Sequence, residues 1–282
     1  MSKTIAILLT VFNRKDCTIK CLHQLTEQIL PDGVTYDVYI TDGGSTDGTV
    51  KSVQELYPEV NIQVKEGVFW NRGMHASWEW ATSMKKYDFF LWLNDDTFLY
   101  NDCIKSLYEA SAAKNDSCII VGATVDTMTR QRVTYGGRNE KGLAPVNGSL
   151  TEVQHFNGNI VLIPASVFDI IGNLDYYYTH SKGDFDYGIR ARKAGIRMFQ
   201  VGKALGECDL HPRIDKWCDP DVPFKKRWYL MQRPNGMPPK ETFHLEKQES
   251  VIRASIHYIT IILRCLFPSL WVKLGKAKLN EG

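Results

Sequence analysis

No stretch of the 282 residues approaches the roughly 18 uncharged apolar residues that a membrane-spanning helix needs. The apolar opening "TIAILLTVF" follows a single lysine, Lys3, and runs straight into "NRKD". No small-residue cleavage site follows it, so a first buried strand explains it better than a signal peptide. Charge of either sign is not in excess: 34 basic against 32 acidic residues leave +2, and nothing points to nucleic acid as a partner. The seven cysteines (17, 21, 103, 118, 208, 218 and 265) form no CxxC pair. Their odd number and scatter predict reduced, mostly buried thiols in a cytosolic protein. Repeats and low-complexity segments are missing too.

What is present is material for a core, 44% apolar residues, arranged with a clear rhythm. Strand-like "TIAILLTVF" leads to a helix near 15–29 with Ile19, Leu22, Leu25 and Ile29 on one face. "YDVYITD" is a second strand, followed by "GGSTDGT" and a helix carrying Val50, Val53 and Leu56. "NIQVKEG", "GMHASWEWATSMKK", "YDFFLWLNDD", a helix near 102–114 and "SCIIVGATV" continue the pattern. Strands alternating with helices of this length imply βαβ units and a largely parallel sheet. After Val125 the polar, Gly-rich "TRQRVTYGGRNEKGLAPVNGS" suits a hairpin or a loop. "FNGNIVLIP" predicts a further strand, and "GDFDYGIRARKAG" a helix with acids at its start and bases at its end.

The run Phe89-Phe90-Leu91-Trp92-Leu93 reads as a strand buried on both faces, and it stops at Asn94-Asp95-Asp96-Thr97. Alone, that stop reads equally as a turn or as a metal site. In an open parallel sheet, ligands bind outside the carboxyl ends of the strands. Thr10–Asn13, Asp42 and Asn94–Asp96 all arrive at that edge, which favours one shared ligand site. The groups are acidic or neutral, so a phosphate there needs a bridging divalent cation, magnesium or manganese.

These segments together resemble the inverting nucleotide-sugar glycosyltransferases of family 2, over roughly residues 4 to 211. "LLTVFNR" is similar to the family's opening strand and nucleotide-binding turn, and "ITDGGSTDGT" to its second strand. "LWLNDDTFL" is similar to its DxD-type metal strand. "FNGNIVLIPASVFDIIGNLD" and "GDFDYGIRARKAGIRMFQV" resemble its acceptor-side segment. The resemblance implies a GT-A fold: a Rossmann-like, mostly parallel α/β sheet flanked by helices, over 1–211, with a C-terminal helical extension over 212–282. It implies that Thr10, Phe12 and Asn13 line the nucleotide pocket, that Asp42 reaches the base, and that Asn94 and Asp95 lie by the ribose. Asp96 would bind a manganese or magnesium ion on the diphosphate, with His211 as a second ligand; His211, followed by Pro212, also reads as structural. Asp184 would be the general base, with Trp70, Arg72 and Gly73 beside the donor, and Asp186 a structural or surface acid. Two departures stand out: Gly183 replaces an acid that members commonly carry, and the region of Trp70 lacks their usual small residues and asparagine.

In the extension, "FKKRWYLMQR" gathers bases among aromatics, read as a solvated face or as a seat for an anionic acceptor or lipid headgroup. Ile252, Ile256, Ile259, Leu263, Leu266 and Leu270 form a helical seam broken near Pro268. Packing on the catalytic domain is the first expectation, with a homodimer or peripheral membrane contact as alternatives. The expected activity is metal-dependent, inverting transfer of a hexose or deoxyhexose from a UDP- or dTDP-sugar. The acceptor would be a glycan or lipid-linked glycan in surface polysaccharide synthesis, with the protein in the cytoplasm or peripheral at the inner face of the membrane. A nucleotidyltransferase is the alternative enzyme, though "LLTVFNRKD" lacks its Gly-rich phosphate loop. A non-catalytic nucleotide- or carbohydrate-binding protein is the other alternative.

Overall fold

The computed structural model describes residues 2–210 and 215–274. They form two compact units, residues 2–176 with 183–210, and 177–182 with 215–274.

The first unit opens with β1 (Lys3–Val11), α1 (Lys15–Thr26), β2 (Val34–Asp42), α2 (Thr49–Leu56), β3 (Asn61–Val64), α3 (Trp70–Met84) and β4 (Phe89–Leu93). These strands lie parallel in the order β3-β2-β1-β4, with Val11 beside Asp42 and Leu8 beside Trp92. β4 is apolar at every position, and β1 from Ile5 to Leu9, because both sheet faces are covered there. Ile5, Ile7, Leu9, Phe89, Leu91 and Leu93 join one core with Leu22 and Leu25 of α1. Ala6, Leu8, Phe90 and Trp92 join the other with Met74, Trp78 and Ala81 of α3.

Next come β5 (Phe98–Leu99), α4 (Cys103–Ala112) and β6 (Ile119–Val125). The Gly-rich stretch contributes short strands β7 (Val133–Tyr135), β8 (Gly137–Asn139) and β9 (Gly142–Leu143), and β10 (Thr151–Glu152) and β11 (His155–Phe156) follow it. β8 and β9 form a hairpin and β11 pairs with β8 in a small second sheet. β12 (Ile160–Pro164), α5 (Ala165–Ile171), α6 (Gly183–Lys193) and β13 (Met198–Glu207) complete the unit. β12 enters the main sheet antiparallel between β4 and β6, with Ile160 beside Leu93. Its start therefore lies at the same edge as the carboxyl ends of β1, β2 and β4. The sheet is mixed but mostly parallel, as the rhythm predicts.

One helix reading needs correction. α1 stops at Thr26, because the Ile29 amide donates to the Asn101 carbonyl (2.7 Å) and draws the chain off the helix, leaving Ile29 exposed. In α2 only Val53 reaches the core, and Leu56 is exposed.

The second unit holds a short turn of helix at Lys216–Cys218, then α7 (Phe224–Gln232), α8 (Pro239–Glu246), α9 (Val251–Leu266) and α10 (Pro268–Lys273). Trp217, Cys218, Met231, Ile261 and Cys265 form its core. Arg227 of α7, buried, donates to the carbonyl of Cys265, one of the last that α9 leaves without a helical partner. The helix breaks before Pro268, which begins α10 at a position where its missing N–H costs nothing. Within this unit the seam packs against none of the described residues of the core. Ala254, Ile261 and Cys265 face the core, while all six seam residues are exposed. Among the described residues, no helix is long and apolar enough to cross a membrane. All seven cysteines are free thiols, and all but Cys17 are buried.

Candidate active site

At the carboxyl edge of the sheet, the turns after β1 and β2 are tied to each other. The Asn13 amide donates to Ser45 Oγ (2.8 Å), and its side-chain oxygen accepts from the Thr46 amide (2.8 Å). The Lys15 amide, the first of α1, donates to Asp47 (2.9 Å). Asp42 is fully buried. Its Oδ1 accepts from the Gly44 and Ser45 amides at 2.8 and 2.6 Å, while its Oδ2 accepts from no described residue. A buried carboxylate oxygen without a donor is costly, so this one has the character of a ligand contact. Phe12, beside the same turn, is about half exposed.

Beyond β4, Asp95 and Asp96 share one guanidinium. Arg14 Nη1 lies 3.1 Å from Asp95 Oδ1 and 2.6 Å from Asp96 Oδ2. Thr18 Oγ1 donates to Asp95 Oδ2 (3.2 Å). Burial pushes the Asp95 carboxyl up to about 6, against the pull of Arg14. Burial also works against the Arg14 charge, and Asp95 and Asp96 more than offset it. Arg14 is not among the residues that the sequence motifs single out; the available signal was an Arg-Lys pair directly after the turn at the one edge where carboxylates gather.

Trp70 opens α3, and its Nε1 donates to Asn94 Oδ1 (2.7 Å), fixing the indole against the end of β4. Gly158 comes next. A Cβ there would meet the Trp70 ring at 2.5 Å, and its amide donates to Asp184 Oδ2 (3.1 Å). Asp184 lies in the first turn of α6, where the Phe185 amide also donates to it (2.9 Å). It keeps part of its surface open, yet burial raises its carboxyl to about 6 despite those donors. Gly73 lies against Thr10, where a Cβ would come within 2.3 Å of Thr10 Cγ2, so glycine lets α3 seat on β1.

Thr10, Asn13, Asp42, Trp70, Asn94, Asp95, Asp96 and Asp184 thus belong to strand ends, turns and helix starts that meet at one edge. Arg72 is engaged elsewhere: its Nε donates to the Tyr176 carbonyl (3.2 Å) and its guanidinium lies over that ring. Asp186 is a structural acid, buried against Arg190 (2.7 Å), which also donates to the carbonyls of Ile171 and Asn173. His211 lies outside the described residues.

Among the described residues, no three His, Cys, Asp or Glu side chains gather as a metal cage. Asp95 and Asp96 offer oxygen only, and a guanidinium already lies against both. That arrangement fits a magnesium or manganese ion completed by phosphate oxygens and water, rather than one enclosed by protein.

The same fold occurs in solved glycosyltransferases. TarS of S. aureus matches with a TM-score of 0.55 at 14% identity, covering 95% of this chain and 53% of that one. This chain therefore spans about half of that TarS structure. A shorter TarS crystal structure, residues 1–349 in complex with UDP, matches at 15% identity and TM-score 0.56, covering 100% and 95%. The mannosyltransferase PcManGT of Pyrobaculum calidifontis, in complex with GDP-Man and Mn2+, matches at 12% identity and TM-score 0.56, covering 99% and 77%. GalNAc-T7 with UDP, GalNAc and Mn2+ matches at 11% identity and TM-score 0.55, covering 72% and 43%. No curated protein matches the sequence. The model of "Glycosyl transferase family 2" matches residues 6–170, more than half of the chain, from within β1 to within α5. The fold is the GT-A fold, and the chain belongs to glycosyl transferase family 2 as a glycosyltransferase.

Proposed function

We propose that residues 1–211 transfer a sugar from a uridine or thymidine diphosphate donor to a hydroxyl of a glycan or lipid-linked glycan, with inversion at the anomeric carbon. Residues 212–282 are an extension of that transferase. The product belongs to surface polysaccharide assembly. The observation that carries this reading is the buried, donor-less Oδ2 of Asp42. An acceptor-only oxygen suits a base edge that donates, such as the imide N–H of uracil or thymine. Phe12 offers a ring face for that base, and Asn94 and Asp95 offer acceptors for the ribose. UDP in the TarS and GalNAc-T7 structures supports the uridine class.

Asp96, with Asp95 beside it, would hold a divalent cation; Mn2+ in two of the neighbours supports this. When bound, such a cation neutralises charge that develops on the departing diphosphate. Trp70 forms one wall for the donor sugar. Asp184, held by the Gly158 and Phe185 amides, accepts the proton of the attacking acceptor hydroxyl. Attack from the face opposite the nucleotide inverts the anomeric centre, so no covalent intermediate is required.

The test is nucleotide release from a panel of UDP-, dTDP- and GDP-sugars with manganese, in wild type and Asp184→Asn. Release of nucleoside diphosphate should fall by roughly 10²–10⁴ in the variant while nucleotide binding persists. Equal release in both removes Asp184 from the reaction. Release of sugar 1-phosphate in place of nucleoside diphosphate would instead mark nucleotidyl transfer.

A further inference from the structure

α9 is apolar on two opposite sides. Ala254, Ile261 and Cys265 turn into the core of the second unit. On the other side Ile252, Ile256, Ile259, Leu263 and Leu266 form a stripe left between 37% and 76% exposed. Phe267, Leu270 and Leu274 extend it past the break at Pro268, all at least half exposed. From Ile252 to Leu270 the stripe runs roughly 27 Å at helical rise. Helices open to water normally carry polar residues on that side, so a continuous aliphatic stripe marks a surface that meets something apolar.

Charge selects the occupant. Residues 250–274 contain no aspartate or glutamate, and Arg253 and Lys273 lie exposed among them. Arg264 is not part of this set, since it lies over the Trp217 ring and donates to Cys218. α7, joined to the C-terminal end of α9 through Arg227, adds exposed Lys225, Lys226, Trp228 and Tyr229, again with no acid in the helix. A second copy is a poor match. In helix-to-helix pairing through this seam, the flanking positions hold Arg253, Ser255, Thr260 and Ile262, with no acid to meet an arginine. Aliphatic stripe, flanking cations and half-exposed aromatics are together what an anionic bilayer surface receives.

We infer that α9 and α10 lie in the surface of an anionic phospholipid bilayer, apolar stripe inward, with Lys225, Lys226, Arg253 and Lys273 at the headgroups. This site is independent of the transfer chemistry. The experiment is co-sedimentation of the full chain with phosphatidylcholine vesicles, with and without phosphatidylglycerol. The chain should pellet with the anionic vesicles, weakly with the neutral ones, and less as salt rises. Ile256→Ser with Ile259→Ser should weaken vesicle binding at least tenfold with an unchanged melting curve, because both side chains are already exposed. Lys225→Ala should cost roughly fivefold. Equal binding to neutral vesicles, no binding to either, or a double variant that binds as wild type would overturn the inference. A dimer in sedimentation equilibrium that the double variant converts to monomer, without vesicle binding, would assign the stripe to a second copy instead.

Discussion

Asp95 and Asp96 bring two carboxylates to the end of an apolar strand, and Arg14 answers both. Removing the guanidinium leaves a buried carboxylate without its compensating cation. Arg14→Ala should therefore lose about 1–3 kcal/mol in chemical denaturation. If the pair is a cation seat, manganese should restore part of that stability and raise the melting temperature of the variant more than that of wild type. No manganese response in either protein would mean that the pair serves Arg14 alone. Asp184 supplies a second measurable sign. Its carboxyl is raised to about 6 by burial, and a base must be ionised before it accepts a proton. The ionised fraction falls as pH drops through 6, so kcat at saturating donor should fall about tenfold per pH unit below that point. A flat profile down to pH 5 would contradict the assignment. Asp42 and Asp96 were legible from sequence because apolar strands end on them. Arg14 was not, because a base after a turn looks like any solvated base until the fold brings β4 beside it.

Among the elements, β12 shows most clearly what strand patterning leaves open. Its apolar run was visible, but nothing local says that it enters antiparallel between β4 and β6. That direction delivers Gly158 to the ligand edge, where its amide holds Asp184. The start of α6 depends on a similarly tight fit. A Cβ on Gly183 would fall 1.7 Å from Asn71 Oδ1, so the acid that family members commonly carry there has no room while Asn71 stays in place. Gly183→Ala should destabilise by about 1–3 kcal/mol through overpacking between α3 and α6. An unchanged urea midpoint would show that Asn71 can swing aside. The seam of α9 carries a different lesson. Its period announced a helix correctly, but period alone does not say which apolar face is buried. Ala254, Ile261 and Cys265 go inward, and the larger set of aliphatics that form the seam stays out.

Over the whole molecule, β1, β2 and β4 run parallel and end together, and β12 returns to the same edge. The architecture was readable because the βαβ rhythm forces strand ends to one side. The gathering of these polar residues at one edge was readable in outline for the same reason, while their cross-links had to come from three-dimensional contacts. The reading of that edge as a nucleotide-sugar site has one direct measurement, calorimetric titration of UDP with and without manganese into wild type, Asp42→Asn and Asp96→Ala. Wild type should bind UDP more tightly when manganese is present. Asp42→Asn should weaken binding ten- to hundredfold, the roughly 1.5–3 kcal/mol of a hydrogen bond to a charged group. Asp96→Ala should abolish the manganese enhancement. Unchanged UDP affinity in both variants, with or without manganese, would contradict the site.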